Sequence, residues 1–323
     1  MALLGKKDGK ARAGLFIFGG MMQYVVLSKQ GGKTYRLEEC IDAPYDTGSA
    51  GGEIFSNQEV IEDNLKTLKK HVGRKWADEV YAGIQSKDVL LRTVELPQMD
   101  LADIKESFRF EFDKFFPIPV EEAIYDVALI DRPVGPGGDD VLADAITQCL
   151  ASAVRVSTVE NLMLAAHKHN LKLSGVEPSP VAMLRCMMGP HHPSGFNIYA
   201  LAGLVSSVII ASYRDNGIVY RNTTQSFATD DPSGRNIANF TRDLQATVKF
   251  ATTQMRGFVA DKVYIGGYGL THPQPLKASV EDMVNSPVET VNPWELWTIG
   301  NQPKQTYGWE VALGLALRPS EVK

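Results

Sequence analysis

Little in this sequence points to covalent staples or to enzymatic chemistry. Its three cysteines, Cys40, Cys149 and Cys186, lie far apart in 323 residues, an odd number that argues against a disulfide framework and for a reducing compartment. No apolar run reaches the ~20 residues that a spanning helix needs. The longest, IYALAGLVSSVIIAS (198–212), carries serines and leads into YRDNGIVYR, which favours strands over a membrane helix. No charge of one sign dominates: 33 Lys and Arg stand against 38 Asp and Glu, scattered along the chain, which argues against a nucleic-acid groove. The opening MALLGKKDGKAR is basic but has no apolar core with a small-residue cleavage site behind it, so it does not read as a signal peptide. Lys6, Lys7, Lys10 and Arg12 read as a solvated, flexible end, with contact to an acidic lipid surface as the alternative.

Motifs of catalysis are equally scarce. There is no Walker A, GxSxG, HExxH or CxxC pattern. The tetrapeptide DTGS (Asp46 to Ser49) matches the aspartic-protease signature, but that chemistry needs two carboxylates sharing a proton, and no second such motif exists. It therefore reads as a surface turn. His191 and His192, near Cys186, lack the spacing of a four-ligand metal site and read as loop residues. His167 and His169 suit the C-terminal dipole of a helix. The sequence thus offers no catalytic residue and no metal site.

What is present is strand and helix patterning of ordinary globular composition, long enough for two domains. GLFIFGGMMQYVVL (Gly14 to Leu27) is a strand, a Gly-Gly turn and a second strand. TYRLEECI continues the strands, and Ser56 with Glu59 makes a capping-box pattern for a helix reaching about His71 with a stripe of Ile61, Leu65, Leu68 and Val72. EVYAGI and VLLRTVEL are strands. Asp100 caps a second helix that Pro117 breaks. AIYDVALI and VLADAITQCLASAV are strands joined by the RPVGPGGDD loop, and a helix follows from about Thr158 to His169. LKLSGVEP is a strand entering a helix with Pro180 in its first turn. GPHHPSG (Gly189 to Gly195) is the linker candidate. After it, Asn216-Gly217 marks a hairpin turn, because both residues tolerate positive φ. A long helix then carries Ile237, Phe240, Leu244, Val248, Ala251 and Met255 on one stripe, KVYIGGYGL is a strand ending in a glycine loop, and YGWEVALGLALRP is a closing helix. The halves rhyme, which implies two similar α/β lobes with a cleft between them. In FRFEFDKFFPIP, Phe108, Phe110, Phe112, Phe115 and Phe116 point to more than one helix face. Core packing is the ordinary explanation, and a partner groove is the alternative.

The run RTVELPQMDLADIKESFRFEFDKFFPIPVEEAIYDVALI (Arg92 to Ile130) resembles a segment of the PilM family, actin-like proteins of type IV pilus assembly in the actin/Hsp70/FtsA superfamily. LKLSGVEPSPVAMLR, FTRDLQATVKFATTQMRGFVADKVYIGGYG and YGWEVALGLALRP resemble later family segments in the right order, so the likeness spans nearly the whole chain. It implies an actin-like (ribonuclease H-type) two-lobe α/β fold with mixed sheets and an inserted small α+β subdomain. The expected boundaries are a tail at 1–11, lobe 1 at 12–190 with the insert at about 93–173, a linker at 191–195, and lobe 2 at 196–323 with a helical subdomain at about 231–261. It further implies a cytoplasmic scaffold at the inner-membrane face whose groove beside the insert receives the N-terminal tail of a PilN-like membrane protein, with a PilO-type complex or a pilus motor as further partners. Partner binding falls on Phe108, Phe112, Phe115, Phe116 and Pro117.

The departures from the family pattern concern the nucleotide. The family's first hairpin reads Asp-Ile-Gly followed by small hydroxyl residues; here Ile17 takes the acid position, and Gly20, Met21 and Met22 the hydroxyl positions. The second phosphate loop has Leu201 in place of its acid. Gly19, Gly20, Gly203, Ser206, Gly266 and Gly267 remain as remnants of the site. Mg²⁺ prefers oxygen ligands, and Ile and Leu supply none. The expectation is a non-enzyme with no cofactor, ATP and Mg²⁺ being disfavoured. Two alternatives are an active actin-fold ATPase with acids from other positions and the cytoplasmic domain of a type II secretion L-type protein.

Overall fold

The computed structural model describes residues 10–31, 34–46, 54–73, 75–131, 146–191, 193–228, 231, 233–254, 259–271 and 275–319. The chain forms two compact units. One comprises Met1–Gln85, Thr158–His191 and Asn292–Lys323; the other comprises Ser86–Ser157 and His192–Val291.

The first unit is built on a six-stranded sheet. Its strands are β1 (Arg12–Phe18), β2 (Met21–Gly31), β3 (Thr34–Pro44), β4 (Glu79–Ile84), β8 (Leu173–Pro178) and β14 (Ile299–Gly300), in the order β14-β3-β2-β1-β4-β8. β1 and β2 are antiparallel, whereas β4 runs parallel to both β1 and β8. The helices of this unit are α1 (Gln58–His71), α3 (Val156–Lys168), α4 (Ser179–Met188), α7 (Pro293–Leu296) and α8 (Glu310–Ala316). α8 lies tightly against β1 and α4: a Cβ on Gly14 would overlap the Ala312 carbonyl, and one on Gly314 would overlap the Ala182 carbonyl. The small residues of the closing helix therefore serve close approach. Leu15 and Ile17 alternate with Gly14 and share the other face with Tyr24 and Met22, their cross-strand partners. On that face Tyr24 meets Trp76 edge-on, ring centroids 5.6 Å apart.

The second unit holds a five-stranded sheet, β11-β10-β9-β12-β13, and a three-stranded one, β5-β7-β6. The first sheet uses β9 (Phe196–Leu201), β10 (Ser207–Tyr213), β11 (Asn216–Thr223), β12 (Lys262–Gly266) and β13 (Val288–Thr290), with α5 (Arg235–Gln254) and α6 (Leu276–Glu281). Ile237, Phe240, Leu244 and Ala251 of α5 pack into one core with Ile198, Ala200, Ile209, Val263 and Ile265. The second sheet uses β5 (Val89–Pro97), β6 (Ala123–Leu129) and β7 (Ile146–Arg155), with α2 (Leu101–Phe115) across one face. The small sheet is tied to β11: the Thr93 hydroxyl donates to the Ile218 carbonyl at 2.7 Å, and the Asn222 amide donates to Ser86 O at 2.7 Å.

The units cut across the expected domain boundaries. Residues 292–323 join the first unit because α8 docks on β1, and residues 86–157 join the second because β5 is bonded to β11. Two local readings are corrected as well. α1 begins one residue later than the Ser56 capping box implied: Asn57 is the N-cap, its side chain accepting from the Glu59 N–H at 2.9 Å. The β10–β11 turn falls at Arg214-Asp215, not at Asn216-Gly217, since Tyr213 pairs with Asn216. Arg214 takes φ of 50° there, and its N–H is held by the Gly195 carbonyl at 2.8 Å. Gly217 instead sits at a register shift opposite Ser212. Thr47–Ser49 of the DTGS turn, the basic tail up to residue 9, the whole RPVGPGGDD loop with residues 141–145, His192 and Met255 lie outside the described residues.

Candidate functional site

Consider first the turn between β1 and β2. Gly19 and Gly20 have φ of 44° and 83°, and Phe18 pairs directly with Met21. Two successive positive-φ residues are what a two-residue hairpin of this hand requires, which is why the glycines are there. The turn is anchored from two sides: Tyr45 donates its N–H to the Gly20 carbonyl at 2.7 Å, and the Gln85 side chain donates to the Ile17 carbonyl at 3.1 Å. Ile17 and Met22 are 1% and 0% exposed and Phe18 stacks on Phe16, centroids 4.7 Å apart. The acid position is thus filled by a side chain packed in the unit's core. The nearest carboxylate in register, Asp42, lies opposite Gln23. Its neighbour Ala43 pairs with Met22, so Asp42 is on the other face of the sheet from Ile17. Partial desolvation raises the Asp42 carboxyl to about 6.

The corresponding turn of the second unit runs from Leu201 to Ser207. Leu201 is half-buried at the end of β9, beside Val208 and Gly266. Gly203 donates its N–H to the Ser207 hydroxyl at 3.2 Å, and that hydroxyl donates to the Gln225 carbonyl at 2.8 Å. The Gly203 carbonyl accepts from the Phe227 N–H. A Cβ on Gly203 would overlap the Ser206 carbonyl. Ser206 itself is half-buried, next to Val205, which is 42% exposed. The Gly203 backbone and the Ser207 hydroxyl are therefore engaged with each other and with Gln225 and Phe227.

After β12, Gly266 accepts from the Ala202 N–H and Gly267 has φ of 93°. Any Cβ on Gly267 would strike the Ala202 backbone, so this loop needs glycine both for its φ and for its approach to the Leu201–Ser207 turn. Four of the six expected remnants, Gly203, Ser206, Gly266 and Gly267, thus lie in the second unit together with Leu201, while Gly19, Gly20 and Ile17 belong to the turn of the first. Between α5 and α6, beyond the glycine loop, lies a cavity of about 380 Å³ lined by Gly234, Ile237, Ala238, Thr241, Pro275, Ser279, Asp282 and Met283. Among the described residues no group of three or more His, Cys, Asp or Glu side chains is placed to hold a metal ion.

The phenylalanines of α2 resolve differently from the groove expected of them. Phe108, Phe112 and Phe116 are 0%, 0% and 3% exposed and form the core of the small subdomain with Val94, Leu96, Val127, Cys149 and Ala151. Phe115 is half-buried against Phe108, centroids 5.5 Å apart, and Pro117 is exposed past the helix end. The three-stranded sheet supplies enough apolar floor to bury the stripe, so Phe108, Phe112 and Phe116 do not line a surface. Phe110 is the exception at 84% exposed, and Ile124 and Leu129 of β6 are 43% and 48% exposed. β6 is an edge strand, and no described strand pairs with its outer side.

No protein-family model matches the chain, and no curated protein matches it. Solved structures do. The PilM–PilN type IV pilus biogenesis complex superposes with a TM-score of 0.74 at 20% identity, covering 97% of this chain and 98% of that one. The cytoplasmic domain of EpsL, an inner-membrane component of the Vibrio cholerae type II secretion system, gives 0.51 at 10% identity over 95% and 93% of the two chains. A Bacteroides thetaiotaomicron protein described as having an actin-like ATPase fold and unknown function gives 0.52 at 10% identity over 99% and 100%. The fold is actin-like.

Within that fold, Gln85 and Ser207 are residues that the sequence pattern did not single out, and Phe110, named there only among the aromatic run, is the exposed one. EVYAGI ends as a strand one residue before Gln85, yet polar residues just beyond the carboxyl end of a parallel strand are where such sheets meet ligands, and that position was the available signal. Ser207 was hidden by its neighbour Ser206.

Proposed function

We propose that the chain is a PilM-like, actin-fold scaffold of type IV pilus assembly that works by recognition, without ATP turnover. The observation that carries this is the likeness over nearly the full length of both chains, coupled with apolar residues at both acid positions. Ile17 and Leu201 give Mg²⁺ no oxygen, and desolvating a triphosphate against apolar side chains is costly. The ligand would be the N-terminal tail of a PilN-like inner-membrane protein, which would hold the chain at the cytoplasmic face of that membrane. No described helix is long and apolar enough to cross a bilayer. The tail would add as an extended segment to the outer edge of β6, its main chain supplying register and Ile124, Leu129 and Phe110 supplying apolar contact.

The test is binding of a synthetic PilN-like N-terminal peptide to the full chain and to Phe110→Ser. The variant keeps the wild-type melting temperature, because the ring is solvent-exposed, and binds more weakly. Equal affinity in the two proteins would move the docking surface away from α2. A second reading, in which a nucleoside is held without its metal, draws on the cavity beyond the glycine loop. Adenosine binding with no dependence on Mg²⁺ would favour it.

A further inference from the structure

At the end of the first sheet remote from the Gly19-Gly20 turn, the strand register gathers cations on one face. Arg12 pairs across to Leu27 on one side and to Glu79 on the other, and Lys29 pairs with Tyr35. Lys29 stands two residues from Leu27, so the two rows share a face. Together with Lys10 and Ala316 of α8 they line a cavity of about 370 Å³, within the ~300–1,000 Å³ range of small-ligand sites.

The charges in this cavity are unequal. Lys10, Arg12 and Lys29 face the single carboxylate of Glu79. Arg12 is held at the floor: its Nε donates to Glu79 at 2.9 Å and a terminal nitrogen donates to the Arg318 carbonyl at 2.8 Å. Glu79 also attracts Lys10, but only at 3.8 Å and with that side chain 74% exposed. Lys29 is exposed, and Tyr35, half-buried, lines the cavity too. Burial raises the Tyr35 pKa against the opposing pull of Arg12, so the phenol stays protonated at neutral pH and can donate.

We propose that this cavity is a binding site for a phosphate-bearing anion, held by Lys10 and Lys29 with a hydrogen bond from Tyr35. The choice of phosphate over carboxylate follows from the donors. The guanidinium fork that would grip a planar carboxylate is turned to Glu79 and the Arg318 carbonyl, whereas ammonium groups on long stems suit a tetrahedral, multiply charged group approached from several sides. A soluble phosphate compound and an anionic phospholipid headgroup share that chemistry. The site lies within the first unit and does not depend on the scaffold reading.

The experiment uses the full chain and the double variant Lys10→Gln/Lys29→Gln, whose side chains are exposed, so that both proteins melt at the same temperature without ligand. Calorimetry with inorganic pyrophosphate measures affinity. Co-sedimentation with phosphatidylcholine vesicles, with and without phosphatidylglycerol, separates the sources. The wild type binds pyrophosphate, and the double variant binds it about tenfold or more weakly, the effect of ~1.4 kcal/mol. Retention on phosphatidylglycerol vesicles that pyrophosphate reverses and the double variant lacks assigns the site to a headgroup. Pyrophosphate binding without vesicle retention assigns it to a soluble phosphate. No pyrophosphate binding, equal affinity in the two proteins, or vesicle retention indifferent to the variant overturns the proposal.

Discussion

The β1–β2 turn and the Leu201–Ser207 turn occupy corresponding places in the two units, yet they are filled in opposite ways. In the first, two positive-φ glycines reverse the chain, and the flanking side chains Ile17 and Met22 are apolar and packed away. In the second, the Ser207 hydroxyl accepts from Gly203 and donates to Gln225, so polar groups are present but turned on the chain itself. The contrast teaches that two glycine-bearing turns can be held in place for two distinct reasons. One is held by core packing, the other by an internal hydrogen-bond network. Each reason predicts its own pattern of damage.

The largest effect is expected at Ile17→Asp. The side chain is 1% exposed with no cation described beside it, and an uncompensated buried charge costs ~3–5 kcal/mol. Chemical denaturation should show that loss, and restoring the acid should not restore Mg-ATP binding. A stable variant that binds Mg-ATP would mean that the pocket is open to solvent and ions. Next comes Ser207→Ala, which strands the Gly203 N–H and the Gln225 carbonyl and should cost ~1–3 kcal/mol by the same measurement. Loss below that range would show that water replaces the hydroxyl. Leu201→Asp, at a half-buried strand end, should cost only about 1 kcal/mol, which makes the same chemical change unequal at the two acid positions. Equal costs at Ile17 and Leu201 would break the comparison.

The smallest effect concerns Asp42, the carboxylate nearest the first turn in register. Its folded-state pKa of about 6 lies above the ~3.9 of an unfolded chain, so the native state binds the extra proton between those values. Stability should therefore fall as pH rises through that window, and Asp42→Asn should flatten the dependence. An unchanged slope would place its origin elsewhere.

Much of this fold can be read in the sequence because its signals are local. The glycine pair between two apolar runs, the β-rich segments and the α5 stripe of Ile237, Phe240 and Leu244 all mark elements that exist where their residues lie. The readings that fail depend on distant neighbours. Asn216-Gly217 is a good turn by propensity, but Gly195 supports Arg214 instead. The Phe108–Phe116 stripe could face a partner or a sheet, and only the arrival of β5, β6 and β7 beneath it decides the matter. The closing helix follows lobe 2 in the chain but packs on β1, through glycines whose purpose a linear pattern does not reveal. Of the candidate site, the glycines and the apolar residues at Ile17 and Leu201 are legible in the sequence, whereas the hydrogen bonds from Gln85 to Ile17 and from Ser207 to Gln225 are not, because they join residues far apart in the chain.

The central claim is that both turns keep the path of a nucleotide site without its chemistry. Isothermal calorimetry of the full chain with Mg-ATP tests it most directly. The account predicts no measurable heat of binding at micromolar nucleotide and no phosphate release over time. Micromolar affinity for Mg-ATP, or steady turnover, would contradict it.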